Sequence, residues 1–266
     1  MVEAIIGLLS DFGDRDYYVS AMKAVIYGIN PRALLVDITH KVSKWSIYEG
    51  AFLLWQASRS FPRNSIFLGV VDPGVGTERK GIIVESERHI FVGPDNGLLI
   101  PAAKRDGILQ VREIVNEKYI LERSGTFDGR DVFAPVAAHI SRGVPLEEFG
   151  PPLTTYTEMD LPKAEVKDEE VKGVILHIDD FGNLVSNIPI KEFNDWRRGE
   201  DRFLLELHGR ERVIILASSY EEMGRELAII PGSSGFMEFS LRRRSAAEDL
   251  GVRVGETIHL RRASHF

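Results

Sequence analysis

Cysteine is absent from this chain of 266 residues. That removes disulfide staples, thiolate metal ligands and cysteine nucleophiles from consideration. Long apolar runs are missing as well: none approaches the roughly 18 residues that a membrane-spanning helix needs, so no membrane partner is expected. A basic field is also missing. The net charge of −7 does not suit sequence-independent binding of nucleic acid, which depends on Lys and Arg neutralising phosphates. The opening residues, MVEAIIGLLSDFGD, carry no basic leader segment and turn acidic after about ten positions, so they read as a first strand and the expected location is the cytoplasm. No GxGxxG follows that strand, and neither GxxxxGK[ST] nor HExxH occurs anywhere. The usual signatures of a dinucleotide fold, a phosphate cradle and a zinc protease are therefore lacking.

What is present is ordinary for a soluble globular protein: 44% hydrophobic and 27% charged residues, in a chain long enough for one large or two modest domains. Residues 4–9 form an apolar run ending in a Ser-Asp-Phe-Gly turn. Over residues 15–29, Val19, Met22, Val25, Ile26 and Ile29 fall on one helical face, and Asn30-Pro31 stops the helix. Residues 34–38 read as a second strand. Ser46 with Glu49 suggests a capping box that opens a helix whose face is Ile47, Ala51, Leu54, Trp55 and Ser58. Residues 66–71 read as a third, fully buried strand. Strand, helix, strand, helix, strand is the pattern of a doubly wound parallel sheet. Right-handed crossovers then bring the C-terminal ends of the three strands to one edge, with Asp11, His40 and Asp72 along it.

Residues 81–85 and 89–92 read as a hairpin, and residues 132–142 as a helix closed by Gly143. From Pro151-Pro152 to about residue 171 the chain is polar and charge-rich, like a linker. Short strands follow at 173–178, 203–208, 212–217, 227–230, 236–241 and 256–261, which suits a small antiparallel barrel or sandwich. The expected organisation is a doubly wound, mostly parallel α/β domain over residues 1–160, a linker over 161–170, and a smaller β domain over 171–266.

The chemistry concentrates in VDPGVGTER, residues 71–79. A carboxylate at a strand end, Asp72, is followed by a Pro- and Gly-broken loop that returns a guanidinium, Arg79. Other candidates carry two readings each. Asp11, Asp14 and Asp16 form either a solvated, helix-capping turn or a ligand site. Their spacing matches no acidic metal loop, and a strand-end carboxylate such as Asp11 suits the two hydroxyls of a ribose. His40 is a satisfied loop residue or a member of the site. In Ile178-Asp179-Asp180-Phe181-Gly182-Asn183 the residue types favour a turn, but an aromatic flanked by acceptors and an amide can also stack on a base. Trp45 and Phe127 are similar cases.

SDFG at 10–13, DITH at 37–40, VDPGVGTER, PDNG at 94–97, TFDGRD at 126–131, IDDFGN and SAAE at 245–248 occur in that order. Together they resemble the S-adenosyl-L-methionine hydroxide adenosyltransferases, relatives of the fluorinase and chlorinase, over nearly the whole chain. The resemblance implies an N-terminal α/β domain with a C-terminal antiparallel β-barrel, a homotrimer with sites between subunits, no cofactor or metal, and hydrolysis of S-adenosyl-L-methionine to adenosine and L-methionine. It further implies that Asp11 holds the ribose. Asp16, Asp179 or Asp180, and Ser233 or Ser234 would hold the methionine part. Trp45, Phe127, Phe181, Asn183 and the backbone near Arg243 would form the adenosine pocket, with Asn96 also among the substrate contacts. Asp72 and Arg79 match two members of an Asp–Arg–His group around the attacking water. The third does not match: the pattern has His where this chain has Asp128. Arg242-Arg243-Arg244 also stands where relatives tend to carry small or amide residues.

In such a reaction the sulfonium carbon is already activated and methionine leaves as a neutral thioether. The difficulty is therefore the water, which must lose a proton as it attacks in line from about 3–3.5 Å. Asp72 is the expected base, fixed by Arg79. Asp128 as a second carboxylate on one guanidinium would push one pKa up and disfavour halide. On that expectation, Asp128→His raises turnover. A non-catalytic binder of adenosine or S-adenosyl-L-methionine and a metal-dependent phosphohydrolase are the competing readings.

Overall fold

The computed structural model of the protein describes residues 4–263. The chain divides into two compact units, Met1–Leu161 and Pro162–Phe266.

In the first unit β1 (Ile5–Ser10), α1 (Tyr18–Ile29), β2 (Leu34–Thr39), α2 (Ile47–Ser58) and β3 (Ile66–Val70) alternate as the periodicity predicts. They are followed by β4 (Gly81–Ser86), β5 (Ile90–Pro94), α3 (Ile100–Asp106), β6 (Ile108–Glu113) and α4 (Ala134–Ser141). The sheet order is β2-β1-β3-β5-β4-β6. β2, β1, β3 and β5 run parallel, while β4 pairs antiparallel with both β5 and β6. β3 is buried at every residue because helices cover both faces, which is why it reads as a continuous apolar run. Met22 and Ile26 of α1 share one core with α4 residues such as Val136 and Ala137. Ala51 and Leu54 of α2 share the other with Ala102 and Ala103 of α3. The sheet is doubly wound.

Two local expectations are corrected. The Ser46 hydroxyl makes no cap bond, and the Glu49 carboxylate instead accepts from the Ser43 backbone N–H at 2.8 Å, so it ties the incoming turn. The helix expected over 132–142 starts earlier, as a π-helical turn at Gly129–Phe133 that runs into α4, with Pro135 in the first turn.

The second unit contains β7 (Glu165–Val166), β8 (Glu170–Ile178), β9 (Leu184–Pro189), α5 (Ile190–Arg197), β10 (Arg202–Leu207), β11 (Arg210–Leu216), β12 (Ala228–Pro231), β13 (Phe236–Ser240), α6 (Ala246–Leu250) and β14 (Thr257–Arg262). Among the described residues the order β14-β10-β11-β12-β13-β9-β8 closes on itself through a β14–β8 pairing. The unit is a barrel and not an open sandwich. One pairing departs from the antiparallel expectation: β11 and β12 are parallel. Phe193, Phe203 and Phe239 fill its interior. No helix among the described residues is long and apolar enough to cross a membrane.

Candidate active site

The chain leaves β1 for β2 on one side and later enters β3 on the other. The strand order therefore switches between β1 and β3, and open α/β sheets bind ligands outside the carboxyl ends of strands at such a point. Asp11 follows β1 directly and Asp72 lies just beyond β3. Asp11 is buried, and its Oδ2 accepts from the Trp45 backbone N–H at 2.9 Å. The Lys44 ammonium also donates to the Asp11 carbonyl. Trp45 adopts φ 63° and is 71% exposed, a bulky side chain held open on a left-handed backbone. His40 is a satisfied loop residue: Nδ1 lies 2.7 Å from Ser10 Oγ and Nε2 lies 3.0 Å from Asp37 Oδ1.

The 72–79 loop turns on itself through Val75 N–H to the Asp72 carbonyl (3.3 Å) and Thr77 Oγ1–H to the Gly74 carbonyl (2.7 Å). This folds Arg79 back over its own strand end. Arg79 Nε lies 3.0 Å from both Asp72 oxygens, and Nη2 reaches Oδ2 at 2.5 Å. Its guanidinium also sits 5.1 Å from the centre of the Phe133 ring. The same Nη2 donates to Asp128 Oδ2 at 2.7 Å. Asp128 is 1% exposed. The two carboxylates share the Arg79 guanidinium as expected, and Arg123 adds a second that the sequence did not show. Its Nη2 donates to Asp128 Oδ2 at 2.7 Å and its Nε to Oδ1 at 3.3 Å. Two guanidiniums offset two carboxylates, which is what makes the burial of the two acid side chains tolerable.

Asp131, also buried, anchors the loop that carries Arg123. Its Oδ2 accepts from Ser124 N–H (2.8 Å) and Ser124 Oγ–H (2.6 Å), and its Oδ1 from Arg130 Nε (2.6 Å). Burial alone would push this carboxyl up, but the bonds from Arg130 and Ser124 outweigh it and hold the group below its ordinary value. The two loops touch where Gly76, at φ 79°, approaches Gly125: a Cβ there would sit 2.6 Å from the Gly125 carbonyl oxygen. Asn96 holds the strand end, donating to the Val71 carbonyl at 2.8 Å while accepting from Leu98 N–H at 3.1 Å.

Asp72 and Asp128 face a cavity of about 350 Å³ walled on its apolar side by Phe12, Tyr17, Tyr18 and Phe127. Phe127 packs edge-on against Phe12 and Tyr18, with centroids 5.6 and 5.1 Å away, so it is a buried wall of the cavity. Asp11, Asp16, Trp45 and Asn96 are not among the walls of this cavity, and Asp16 is exposed.

In the second unit a cavity of about 860 Å³ brings together Asp179, Phe181, Asn183, Tyr220 and Arg243. Asp179 organises the turn: Oδ1 accepts from the backbone N–H groups of Phe181 (2.9 Å) and Asn183 (2.8 Å), and Oδ2 from Asn183 Nδ2 (2.8 Å). That turn presents Phe181 at 80% exposure. The turn reading of IDDFGN holds, and the turn leaves the Phe181 ring open to solvent. Asn183 Nδ2 also lies 3.3 Å from Tyr220 Oη, and Tyr220 Oη lies 3.4 Å from Glu238 Oε2. Burial, with the nearby Asp179 charge, pushes the Glu238 carboxyl up. Arg243 is exposed at φ 57°. Asp180, Ser233 and Ser234 do not line this cavity, and Ser234 Oγ accepts from Phe236 N–H at 3.4 Å. Among the described residues no group of three or more His, Asp or Glu is placed to hold a metal ion.

The sequence reading did not find Arg123, Tyr17, Tyr18, Tyr220 or Glu238. Arg123 lies in a loop, five residues before Asp128, where no periodicity reports a contact. No pattern in the sequence marks it; the burial of Asp128, visible only in the fold, is what calls for a second cation.

A doubly wound sheet with a carboxylate–guanidinium cluster at its switch point, in a chain that also holds a closed barrel, defines a two-unit protein of the small-molecule-binding α/β class. The SAM hydroxide adenosyltransferase N-terminal domain matches residues 6–150, and the C-terminal domain of the same family matches residues 173–259. The chain is 36% identical to an (R)-S-adenosyl-L-methionine hydrolase from Methanocaldococcus jannaschii, covering 93% of this chain and 92% of that one. It is 33% identical to the protein of that name from Thermus thermophilus, covering 95% and 97%. A solved structure of an uncharacterized conserved protein from Thermotoga maritima superimposes with a TM-score of 0.91 at 38% identity, covering 97% of this chain and all of that one. The chain belongs to the SAM hydroxide adenosyltransferase family.

Proposed function

We propose that the protein hydrolyses S-adenosyl-L-methionine to adenosine and L-methionine. The observation that carries this reading is the Asp72–Arg79 clamp at the sheet's switch point, with Asp72 on the wall of a cavity of about 350 Å³. Water attacks C5′ in line with the C5′–S bond. As the C–O bond forms, the electron pair of the breaking bond passes to sulfur, which becomes a neutral thioether, and the water proton passes to the Asp72 carboxylate. Arg79 holds that carboxylate in one orientation and offsets the charge that develops on the water oxygen. The sulfonium cation is drawn towards the acidic wall as a ground-state partner.

The remaining roles follow the chemistry of the side chains. Asp11 binds the ribose hydroxyls. Trp45 of one subunit and Phe181 of the next flank the adenine, whose edge meets Asn183 and the backbone at Arg243 of the latter. Asp16 and Asp179 receive the methionine ammonium, with Asp180, Ser233 and Ser234 in supporting positions, while Phe127 and Asn96 shape the wall and the strand end. The substrate needs no cofactor. The protein works in the cytoplasm as a homotrimer, which light scattering of the purified protein would check.

The test is to incubate the purified protein with S-adenosyl-L-methionine and separate the products by chromatography. Adenosine and L-methionine should appear in equal amounts, and Asp72→Asn should slow their release by about 10²–10⁴-fold, the usual range for a positioned base. Retention of intact S-adenosyl-L-methionine without release of adenosine would instead establish a binding protein and defeat the hydrolase reading.

A further inference from the structure

Asp128 stands where the resemblance expects a histidine, yet its surroundings are not those of a vacancy or a defect. It is almost wholly buried, and three hydrogen bonds from two arginines meet its carboxylate. Arg79 reaches both acids but gives Asp128 a single bond: its Nε and Nη2 engage Asp72, and only Nη2 extends to Asp128. Arg123 closes the far side.

The loop bearing Arg123 is fixed independently. Ser124 is bound twice by Asp131, Leu121 N–H donates to the Asp131 carbonyl at 2.8 Å, and Gly125 abuts Gly76 of the loop that bears Arg79. Asp72 and Asp128 line the aromatic cavity, whereas Arg79 and Arg123 line another cavity of about 340 Å³, with Thr77 and Val132. Arg123, 50% exposed, connects that wall to solvent.

We infer that Arg123 is a positioning residue for the hydrolysis proposed above, and that Arg123 and Asp128 form one interchangeable unit in place of the single histidine of the family pattern. The inference rests on the hydrolase reading. Arg123 holds Asp128 as an anion aimed at Arg79, and this keeps the Arg79 guanidinium seated on the carboxylate that accepts the water proton. Without Arg123, two carboxylates repel each other across one guanidinium, and the hold on both loosens. Replacing Asp128 alone by histidine puts an imidazole between two guanidiniums. The single exchange is therefore expected to lower turnover, which replaces the expectation drawn from the motif alone.

The experiment is a cycle of Arg123→Ala, Asp128→His and the double variant, read as kcat and KM for adenosine release across pH, with Arg123→Lys as the conservative control. Arg123→Ala should lower kcat at least tenfold with KM within about threefold, and should move the acid limb of the kcat profile to higher pH. Arg123→Lys should recover a substantial part of the rate. Adding Arg123→Ala to Asp128→His should cost nothing further and recover part of the lost rate, because it removes one of the two guanidiniums facing the imidazole. A kcat for Arg123→Ala within twofold of the parent, an unmoved acid limb, or losses that multiply in the double variant would overturn the inference. If Arg123→Ala does not fold, Arg123→Gln, which keeps a long polar side chain but no charge, carries the same readings: a shifted acid limb supports the role and an unmoved one removes it. Absence of adenosine from the parent protein overturns the hydrolase reading and this one with it. Normal parent turnover with an indifferent Arg123 overturns this one alone.

Discussion

Asp131→Ala tests whether the site is pre-organised by the loop behind it. The substitution deletes two bonds from Ser124 and one from Arg130 to a carboxylate that is 1% exposed. Hydrogen bonds to charged groups contribute about 1.5–3 kcal/mol each, so the two Ser124 bonds bound the effect at about 3–6 kcal/mol. Ser124 is itself exposed, so water can take over part of its bonding and the lower end applies. Arg130 is about a third exposed, and its pair adds less than about 1 kcal/mol. A loss of about 3 kcal/mol corresponds to a fall in Tm of about 6–12 °C for a unit of this size. The sign with pH follows from the folded carboxyl lying below its ordinary value of 3.8. The contribution is fully present above that value and is lost as pH falls through the folded pKa. Urea unfolding of parent and variant should therefore show a constant gap from pH 8 to about 4 that narrows in stronger acid. Turnover should also fall, by up to about a hundredfold, because Arg123 moves with Ser124. A gap below about 1 kcal/mol at pH 7, or one that widens in acid, would refute the reasoning.

Three further outcomes are expected. Incubation with S-adenosyl-L-methionine at high chloride should yield adenosine and no appreciable 5′-chloroadenosine, because the Asp128 carboxylate on the cavity wall repels a halide; chromatography that found the chlorinated product in quantity would contradict this. Trp45→Gly should change stability by less than about 1 kcal/mol, since glycine relieves the left-handed backbone while adding chain entropy. The same variant should weaken adenosine binding by about 1–3 kcal/mol if the ring stacks on the base, which calorimetry measures directly. The Glu238 carboxyl is raised by burial and then by Asp179, so its stabilising share is present below about pH 4.5 and is lost as pH rises through the folded value. Glu238→Gln should accordingly gain on the parent between pH 4.5 and pH 8 in urea midpoints, and a gap independent of pH would count against that environment.

Where periodicity and burial coincide, the fold is legible from the sequence. β1, α1, β2, α2 and β3 were readable because their apolar residues are the ones buried: Met22 and Ile26 on α1, and every residue of β3. The strands that escaped did so for physical reasons. β6 lies at the sheet edge and buries only Val111 of its six side chains. β9 buries Ser186 and Asn187, neighbours on opposite faces of the strand, and polar residues there break an apolar pattern. They are tolerated because Ser186 Oγ–H donates to the Met237 carbonyl at 2.6 Å and Asn187 Oδ1 accepts from Val174 N–H at 2.7 Å. The capping box fails because the Ser46 N–H donates to the Ser43 carbonyl at 2.9 Å while Glu49 accepts from the Ser43 N–H.

The site divides along the same line. Asp11 and Asp72 follow from connection rules, since any doubly wound sheet delivers its strand ends to one edge. Arg79 follows from the loop that must return. Asp128 does not follow from either rule. Taken as one position in a motif it is a lost histidine, and the argument from it runs towards a weakened site. Its neighbours reverse that argument, because a carboxylate at 1% exposure with one shared arginine would be expensive to bury, and the fold supplies Arg123 to complete it. A motif records identities at fixed positions, whereas burial imposes a constraint on charge that any nearby loop can satisfy. The compensating residue can therefore lie outside every motif, and it is found by asking what each buried charge is bonded to.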